Sequence, residues 1–334
     1  MELLDRSVST IARGIRAIRL RTPSVHALGE IRAQAASRAL DRARPEARAI
    51  ASRLRSGDPS ARRALADIAQ RALDHMRCEV REEASRRGVL HALAIGLDER
   101  FSRTDEPEWL DDPHFDRAAR VRVLEHLDAL NVMVGGYAAF FDALRPYLGR
   151  DRSRPTRVLD LAAGHGGFAL AAARMARDEG LAIELCATDL KPEYLEIGEA
   201  VARRDGLDVR FAVQDALDLS GIERGAYDVI VCTQSLHHFP PGLVAVLASE
   251  ASRVAGRGVV LIDGYRSRMH ALVVGSIGLL RFRDVAFAHD GWVSFRRFFV
   301  PEELEVLARL GPEGDRADAR WMPPTHCVVT IPTG

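Results

Sequence analysis

The sequence of 334 residues lacks two features that would narrow its function at once: paired cysteines and an excess of one charge. Its four cysteines lie far apart, with no C-x-x-C pair and no histidine at zinc-finger spacing. This pattern excludes a cysteine-based zinc finger and predicts free thiols in a reducing cytoplasm. Because 47 basic residues balance 47 acidic residues, no bulk positive field favours nucleic acid as a partner.

Long hydrophobic runs are also absent. The longest, ALVVGSIGLL at 271–280, is too short to cross a bilayer and predicts a buried helix or a lid helix. Charges interrupt every apolar cluster in the first twenty residues, so we expect neither a signal peptide nor a transmembrane segment. Together with the free thiols, these observations predict a cytoplasmic protein.

The N-terminal region is rich in arginine and has helical periodicity. Apolar residues recur there at spacings of four and three, which predicts an amphipathic helix. They are Leu4, Val8, Ile11, Ile15 and Ile18. Similar patterns continue to residue 97, and we expect residues 1–103 to form an all-helical extension outside the chemistry. It packs as a cap on the main domain or on a second subunit, giving a homodimer, or lies on an anionic membrane surface.

Residues 104–150 predict a connector followed by lead-in helices. The segment TDEPEWLDDPHFD (104–116) is acidic and contains two prolines, as is typical of a connector. Two helical patterns follow, separated at Gly135 and Gly136, and the polar sequence GRDRSRP then leads into the next region.

Residues 151–334 alternate between short apolar runs and helical patterns. Strands are predicted in RVLDLA, AIELCATDL, DVRFAVQDA, YDVIVCTQSL and GRGVVLIDGY, with a last strand in HCVVTIP. This alternation predicts an α/β domain with a mostly parallel sheet, helices on both faces, and ligands at the carboxyl ends of the strands.

A glycine-rich turn follows the first of these strands, in VLDLAAGHGGFAL. The spacing Gly164-x-Gly166-x-x-Ala169 satisfies a loose dinucleotide fingerprint, so a nicotinamide oxidoreductase remains an alternative. Three acidic residues lie in order along the strands: Asp160 in the first, Asp189 at the end of the second, and Asp215 after the third.

These residues resemble the class I S-adenosylmethionine-dependent methyltransferases over roughly residues 120–334. The resemblance implies a Rossmann-like methyltransferase fold with a seven-stranded sheet and S-adenosylmethionine as the cofactor. Asp160 would bind the ammonium group directly or through water, Asp189 the ribose hydroxyls, and Asp215 with Ala216 the adenine. The implied cofactor residues are Asp160, Ala162, Gly164, Gly166, Asp189, Leu190, Asp215, Ala216, Thr233 and Gln234.

The segment CTQSLHHFPP (232–241) closes the fourth strand, where this family carries out methyl transfer. It lacks the Asn-or-Asp-Pro-Pro-aromatic tetrad of the amino methyltransferases that act on nucleobases. His237 and His238 stand there instead, and a histidine can take the proton of a phenol. We expect His238 to be the general base, with His237 and the lid residue His289 as further catalytic candidates. We predict no metal site, because adjacent residues seldom ligate one metal and no carboxylate lies nearby in sequence.

Two flanking segments are similar to the ubiquinone/menaquinone-type branch, whose members accompany polyketide or quinone pathways. They are WLDDPHFDRAARVRVLEHLDALN and FAHDGWVSFRRFFVPEEL, the second within a lid insertion at about 266–299. Tyr265, Arg296 and Phe298 are the expected substrate-binding residues. Arg296 and its neighbour Arg297 would pair with a substrate carboxylate, or with Asp284 or Asp290 of the lid.

The resulting functional hypothesis is O-methylation of a hydrophobic small molecule, phenolic or polyketide-like. C-methylation of a quinone-type ring is an alternative within the same class. A non-catalytic cofactor-binding partner protein is an alternative of another class. Hydride transfer is disfavoured because it does not require Asp160 and Asp215, and because a chain with a single lysine carries no Tyr-x-x-x-Lys set.

Overall fold

The computed structural model describes residues 23–102, 104–149 and 154–334. The amphipathic helix predicted around Leu4 to Ile18 lies outside the described residues. Among the described residues, no single helix is long and apolar enough to cross a membrane. Within the described ranges, one bent pair of helices, Arg117–Met133 and Gly136–Tyr147, is long and apolar enough when its two parts are taken together.

Seven strands form one sheet in the order β3-β2-β1-β4-β5-β7-β6. The strands are β1 (Thr156–Asp160), β2 (Ile183–Asp189), β3 (Val209–Val213), β4 (Tyr227–Thr233), β5 (Ala255–Gly264), β6 (Asp318–Met322) and β7 (His326–Pro332). Strands β1 to β5 are parallel, whereas β7 runs antiparallel to both β5 and β6. This confirms the predicted mostly parallel sheet of seven strands.

Twelve α-helices are described along with the sheet. They are α1 (Pro23–Ala49), α2 (Ala51–Arg55), α3 (Pro59–Arg87), α4 (Val89–Ser102), α5 (Arg117–Met133), α6 (Gly136–Leu144), α7 (Gly167–Glu179), α8 (Pro192–Asp205), α9 (Pro241–Val254), α10 (Arg268–Ile277), α11 (Val285–Arg297) and α12 (Pro301–Ala308). Helices α10 and α11 follow β5, as expected for the lid insertion, and a π-helical segment at Gly278–Phe282 joins them.

The central strands β4 and β5 are almost wholly buried because helices cover both faces of the sheet there. In β1, Val158 packs into a core with α6 and α7, whereas its neighbour Leu159 packs into a core with α3 and α9. The sheet order reverses at β1, whose neighbours are β2 on one side and β4 on the other. This reversal opens a crevice at the carboxyl ends of β1 and β4, which is where open α/β sheets bind their ligands.

The N-terminal helices share a continuous core with the sheet. Arg62 of α3 is 8% exposed, and its guanidinium donates to the Leu217 carbonyl at 2.9 Å and lies 2.8 Å from Asp218. Gly242 at the start of α9 lies so close to Ala66 that a Cβ there would be 2.3 Å from the Ala66 carbonyl oxygen. The helical region therefore packs directly on the sheet domain.

We expect Gly242→Ala to lower the free energy of unfolding by about 1–3 kcal/mol, because the added methyl group must displace helix α3. Chemical denaturation followed by circular dichroism measures the change. Gly221→Ala is the matched control, since a Cβ there meets no atom within 4 Å. Equal stability of the two variants would show that α3 does not pack tightly on α9.

Candidate functional site

A cavity of about 440 Å³ lies at the carboxyl ends of the parallel strands. Its walls come from the segments that follow β1, β2, β3 and β4, and from α5, α10 and α11. No described residue before Glu108 lines it. One cavity therefore joins the sheet edge, the lead-in helices and the lid.

The turn after β1 brings backbone to the edge of this cavity. Gly164 and Gly166 have φ angles of +57° and +74°, a region that other residues rarely adopt. A Cβ at Gly166 would lie 2.8 Å from the Phe211 ring, whereas a Cβ at Gly164 would meet no atom within 4 Å. Gly166 thus permits close packing inside the protein, and Gly164 leaves open space at the cavity.

Asp189 holds this turn in place. Its Oδ2 accepts the Gly164 N–H at 2.9 Å, and its Oδ1 accepts the Lys191 N–H at 2.9 Å. Each carboxylate oxygen can accept two hydrogen bonds, so both retain acceptor capacity beyond these contacts. Asp189 lines the cavity and presents two oxygens side by side.

Asp160 does not line the cavity. The residue is fully buried, and neither carboxyl oxygen has a hydrogen-bond partner among the described residues. Burial, and then the nearby Asp189 carboxylate, raise the pKa of Asp160 well above its usual range. Asp160 thus keeps two carboxyl oxygens without a partner inside the protein, and its predicted contact with the ammonium group, directly or through water, stays a prediction.

Eight of the ten predicted cofactor residues line the cavity; Asp160 and Gly166 do not. The eight are Ala162, Gly164, Asp189, Leu190, Asp215, Ala216, Thr233 and Gln234. Asp215 accepts the Leu217 N–H through Oδ1 at 2.8 Å, which fixes its side chain at the cavity. The Gln234 Oε1 accepts from Asn131 Nδ2 at 2.8 Å, which ties α5 to the end of β4.

Two further polar side chains line the cavity beyond the predicted site residues: Tyr137, from the lead-in helices, and His165, within the glycine-rich turn. Tyr137 of α6 donates its hydroxyl to Asp128 of α5, and His165 Nε2 lies 2.9 Å from the second Asp128 oxygen. Burial and the Asp128 carboxylate raise the pKa of Tyr137 well above its usual range, so it remains a neutral donor. The lead-in helices therefore form part of the cavity as well as preceding the sheet domain.

His237 is a buried residue held between two carboxylates. Its Nδ1 lies 3.0 Å from Asp263 Oδ1, and its Nε2 lies 3.2 Å from Glu108 Oε1. Burial would lower the pKa of His237, but Asp263 and Glu108 raise it to about 9. Without another cation nearby, His237 therefore carries a proton at neutral pH, which does not suit a general base; its predicted catalytic role stays a prediction.

His238 is more exposed and faces the cavity. Its Nδ1 lies 3.4 Å from Asp111 Oδ1, and its Nε2 lies 3.9 Å from Glu108 Oε2. Burial would raise the pKa of Glu108, but His238 and His237 hold it well below its usual range, so Glu108 is ionised. The polar end of the cavity therefore combines two imidazoles with ionised carboxylates.

Glu108 and Asp111 were missed in the sequence because they lie in the acidic segment that predicted only a connector. Asp290 of α11 anchors this segment, accepting the Trp109 N–H at 2.8 Å and the Leu110 N–H at 3.1 Å. The sequence carried one signal for them, which is composition. Two carboxylates lie within four residues of each other beside a tryptophan, in a protein that has two adjacent histidines elsewhere.

His289 lies outside the cavity, which corrects its proposed catalytic role. Its ring stacks on Trp109 with the centroids 4.3 Å apart, and its Nδ1 lies 2.8 Å from Asp290. His289 therefore helps to dock the connector on the lid.

Two of the three predicted substrate residues, Tyr265 and Arg296, also lie outside the cavity, whereas Phe298 lines it. The Arg296 guanidinium lies 3.9 Å from Glu106 and over the Trp292 ring. Arg297 pairs with Asp111 at 3.2 Å. The lid arginines thus pair with the connector instead of with Asp284 or Asp290.

The remaining cavity wall is apolar and comes mainly from α5 and the lid. The residues are Val123, Leu124, Leu127, Leu130, Val273, Val274, Ile277, Phe287 and Phe295. A ligand that fills this part of the cavity must itself be apolar, with any polar group directed toward the histidines.

Residues 158–258 match the family model of a methyltransferase domain. A protein named Ubiquinone biosynthesis O-methyltransferase, from Xanthomonas campestris pv. campestris (strain B100), is 27% identical over 156 residues, or 46% of this chain and 60% of that protein. The protein of the same name from Xanthomonas oryzae pv. oryzae (strain PXO99A) is 32% identical over 157 residues, with the same two coverages. The chain thus spans about three fifths of the length of these curated relatives.

Among solved structures, magnesium protoporphyrin IX methyltransferase from Synechocystis PCC 6803 with bound SAM aligns with a TM-score of 0.42 and 14% identity. The alignment covers 71% of this chain and 97% of that protein. The family match supports the predicted methyltransferase domain over residues 158–258.

We expect Asp290→Ala to release the connector from the lid, because two backbone N–H groups lose a charged acceptor that is 4% exposed. Amide exchange at Trp109 and Leu110 should accelerate roughly tenfold or more, which mass spectrometry of peptides from 104–112 detects. Asp284→Ala is the control, since Asp284 caps the same helix through the Phe287 N–H. Unchanged exchange in Asp290→Ala would show that another contact holds the connector.

Proposed function

Because the chain carries a class I methyltransferase domain over residues 158–258, we propose that it O-methylates a small, apolar, aromatic hydroxyl compound with S-adenosylmethionine. The observation that carries this proposal is the make-up of this one cavity, which combines three kinds of surface. At the sheet edge it presents the carboxylates Asp189 and Asp215, its middle is apolar, and its far end carries His238 and Glu108. The names of the relatives, which specify O-methylation, support the same reaction class.

The donor and acceptor set at the sheet edge fits the cofactor. Asp189 has a free acceptor position on each oxygen, which suits two vicinal ribose hydroxyls. Asp215 and Ala216 are in position to bind an adenine, and the open space at Gly164 leaves room for the amino-acid portion. When bound, S-adenosylmethionine supplies an electrophilic methyl group on a positively charged sulfur.

The protein's own task is to hold the acceptor oxygen in line and to remove its proton. The apolar residues of α5, α10 and α11 exclude water and orient an aromatic body, so that its hydroxyl points to the polar end. In a metal-free site, His238 is the proposed proton acceptor because it faces the cavity and because Asp111 lies 3.4 Å from its Nδ1. Phe298 lies against the neighbouring His237 ring, with the centroids 4.5 Å apart, and limits the space at that end.

We expect Asp189→Ala to weaken S-adenosylmethionine binding by roughly 2–3 kcal/mol, since a charged acceptor for two hydroxyls is lost. The Gly164 turn also loses its anchor. Isothermal titration calorimetry measures the change, and Asp178→Ala, at the far end of α7, is the control. Wild-type protein should show a thermal shift with S-adenosylmethionine and none with nicotinamide dinucleotides; the reverse pattern would favour an oxidoreductase.

We expect transfer of labelled methyl groups to the oxygen of at least one compound in a panel of phenols, aryl acids and hydroquinones. His238→Ala should reduce turnover about 10²- to 10⁴-fold while cofactor affinity stays nearly constant. His75→Ala, an exposed histidine on α3, is the control. A methyl group found on ring carbon would support C-methylation instead, and cofactor binding without turnover on any compound would favour a non-catalytic partner protein.

A further inference from the structure

We propose that Glu108, His237 and His238 together bind one divalent transition-metal cation at the polar end of the cavity. The three residues come from two distant parts of the chain: the connector supplies the carboxylate, and the turn after β4 supplies both imidazoles. The carboxylate missing from the neighbouring sequence is therefore provided by the fold. Binding of the cation stands on the geometry alone, whereas its role in holding the acceptor oxygen rests on the proposed function.

The three ligand atoms are already close together. All lie within 4.8 Å of one another, with His237 Nε2 at 3.2 Å and His238 Nε2 at 3.9 Å from the Glu108 oxygens. Ligands bound at about 2.0–2.2 Å to one tetrahedral cation lie about 3.4 Å from each other. A modest movement of His238, which is 34% exposed, completes the site.

Neighbouring side chains orient the ligands as metal sites require. The Nδ1 of His237 points at the fully buried Asp263 carboxylate at 3.0 Å, which leaves Nε2 directed at Glu108. A metal-binding histidine commonly has such a carboxylate on its second nitrogen, where it fixes the tautomer and the ring orientation. Ser294 adds a second support by donating its hydroxyl to Glu108 Oε1 at 2.7 Å.

The charge balance also favours a cation. Glu108, Asp111 and Asp263 bring three carboxylates to a largely buried region. Of these three, Asp111 is paired with Arg297, at 3.2 Å. Glu108 and Asp263 instead face imidazole rings, which supply positive charge only when protonated. A divalent cation would offset this concentration of negative charge and bind the imidazoles in their neutral form.

The ligand set indicates which cation binds. Two imidazole nitrogens and one carboxylate oxygen suit Zn²⁺, Fe²⁺, Co²⁺ or Mn²⁺, in contrast to the all-oxygen sets of Ca²⁺ and Mg²⁺. Three protein ligands leave at least one position open, as in catalytic zinc sites. All three residues line the cavity, so the open position is accessible to an acceptor hydroxyl.

A bound cation would change the role of His238. As a ligand, its Nε2 is no longer available to take a proton, and the cation itself lowers the pKa of a coordinated hydroxyl. His238→Ala reduces turnover in either case. Only direct measurement of metal binding separates a ligand from a base.

The experiment uses the full chain, stripped of metal with a chelator and dialysed. Titration with ZnCl₂ by calorimetry, and with CoCl₂ by visible absorption, should each give one site per chain. We expect Glu108→Gln and His238→Ala to weaken binding at least 100-fold. The double variant His75→Ala/Cys78→Ser, which removes an exposed histidine and an exposed thiol, should bind as wild type does.

Circular dichroism melting and the thermal shift with S-adenosylmethionine show whether each variant is folded. If the Glu108→Gln variant does not fold, the His238→Ala variant serves as the test, because His238 is partly exposed and its loss disturbs the core less. Metal affinity equal to wild type in a folded His238→Ala variant, or the absence of a stoichiometric site in wild type, would overturn the inference. Methyl transfer undiminished in chelator would overturn the catalytic role of the cation. Stoichiometric metal without methyl transfer to any compound would instead leave the site standing and count against the proposed function.

Discussion

The interaction on which the site depends is the buried series of side-chain contacts that runs from Asp263 through His237 to Glu108. Asp263 is fully buried at the end of β5; it accepts the His237 backbone N–H and lies 3.0 Å from the ring nitrogen Nδ1, which anchors the turn after β4. Glu108 then ties that turn to the connector. Removing any member would leave a buried charge without its partner, which is far more costly than losing a surface ion pair.

Further contacts connect this series of side chains to the rest of the cavity. Asp290 of α11 fixes the connector to the lid by accepting the Trp109 and Leu110 N–H groups, directly beside Glu108. At the opposite end, Asp189 fixes the glycine turn after β1, and Asn131 links α5 to Gln234 after β4. The cavity is thus held open by carboxylates and an amide at its ends, while apolar side chains of the lid and α5 close its middle.

Much of the sheet edge could be predicted because strand patterns and turn residues are local features. An apolar strand followed by a glycine turn can be recognised from those few residues alone. Because the strands are parallel, their carboxyl ends bring Asp189 and Asp215 to one edge of the sheet. Asp160 shows the limit of this reasoning. Its place in β1 was correct, but the alternation of the strand does not reveal that packing buries both of its oxygens away from the cavity.

The sequence by itself determined the alternation of strands and helices from β1 to β5 and placed Asp189 and Asp215 at strand ends, because periodicity and turn chemistry act over a few residues; strand β6 was not predicted. Tertiary structure alone decided the composition of the polar end. Glu108 lies 129 residues before His237, and no local pattern encodes which carboxylate will face an imidazole across that distance. The same reason removed His289 and Arg296 from the cavity: both lie on the lid, but helix rotation and docking against the connector decide which side chains face inward.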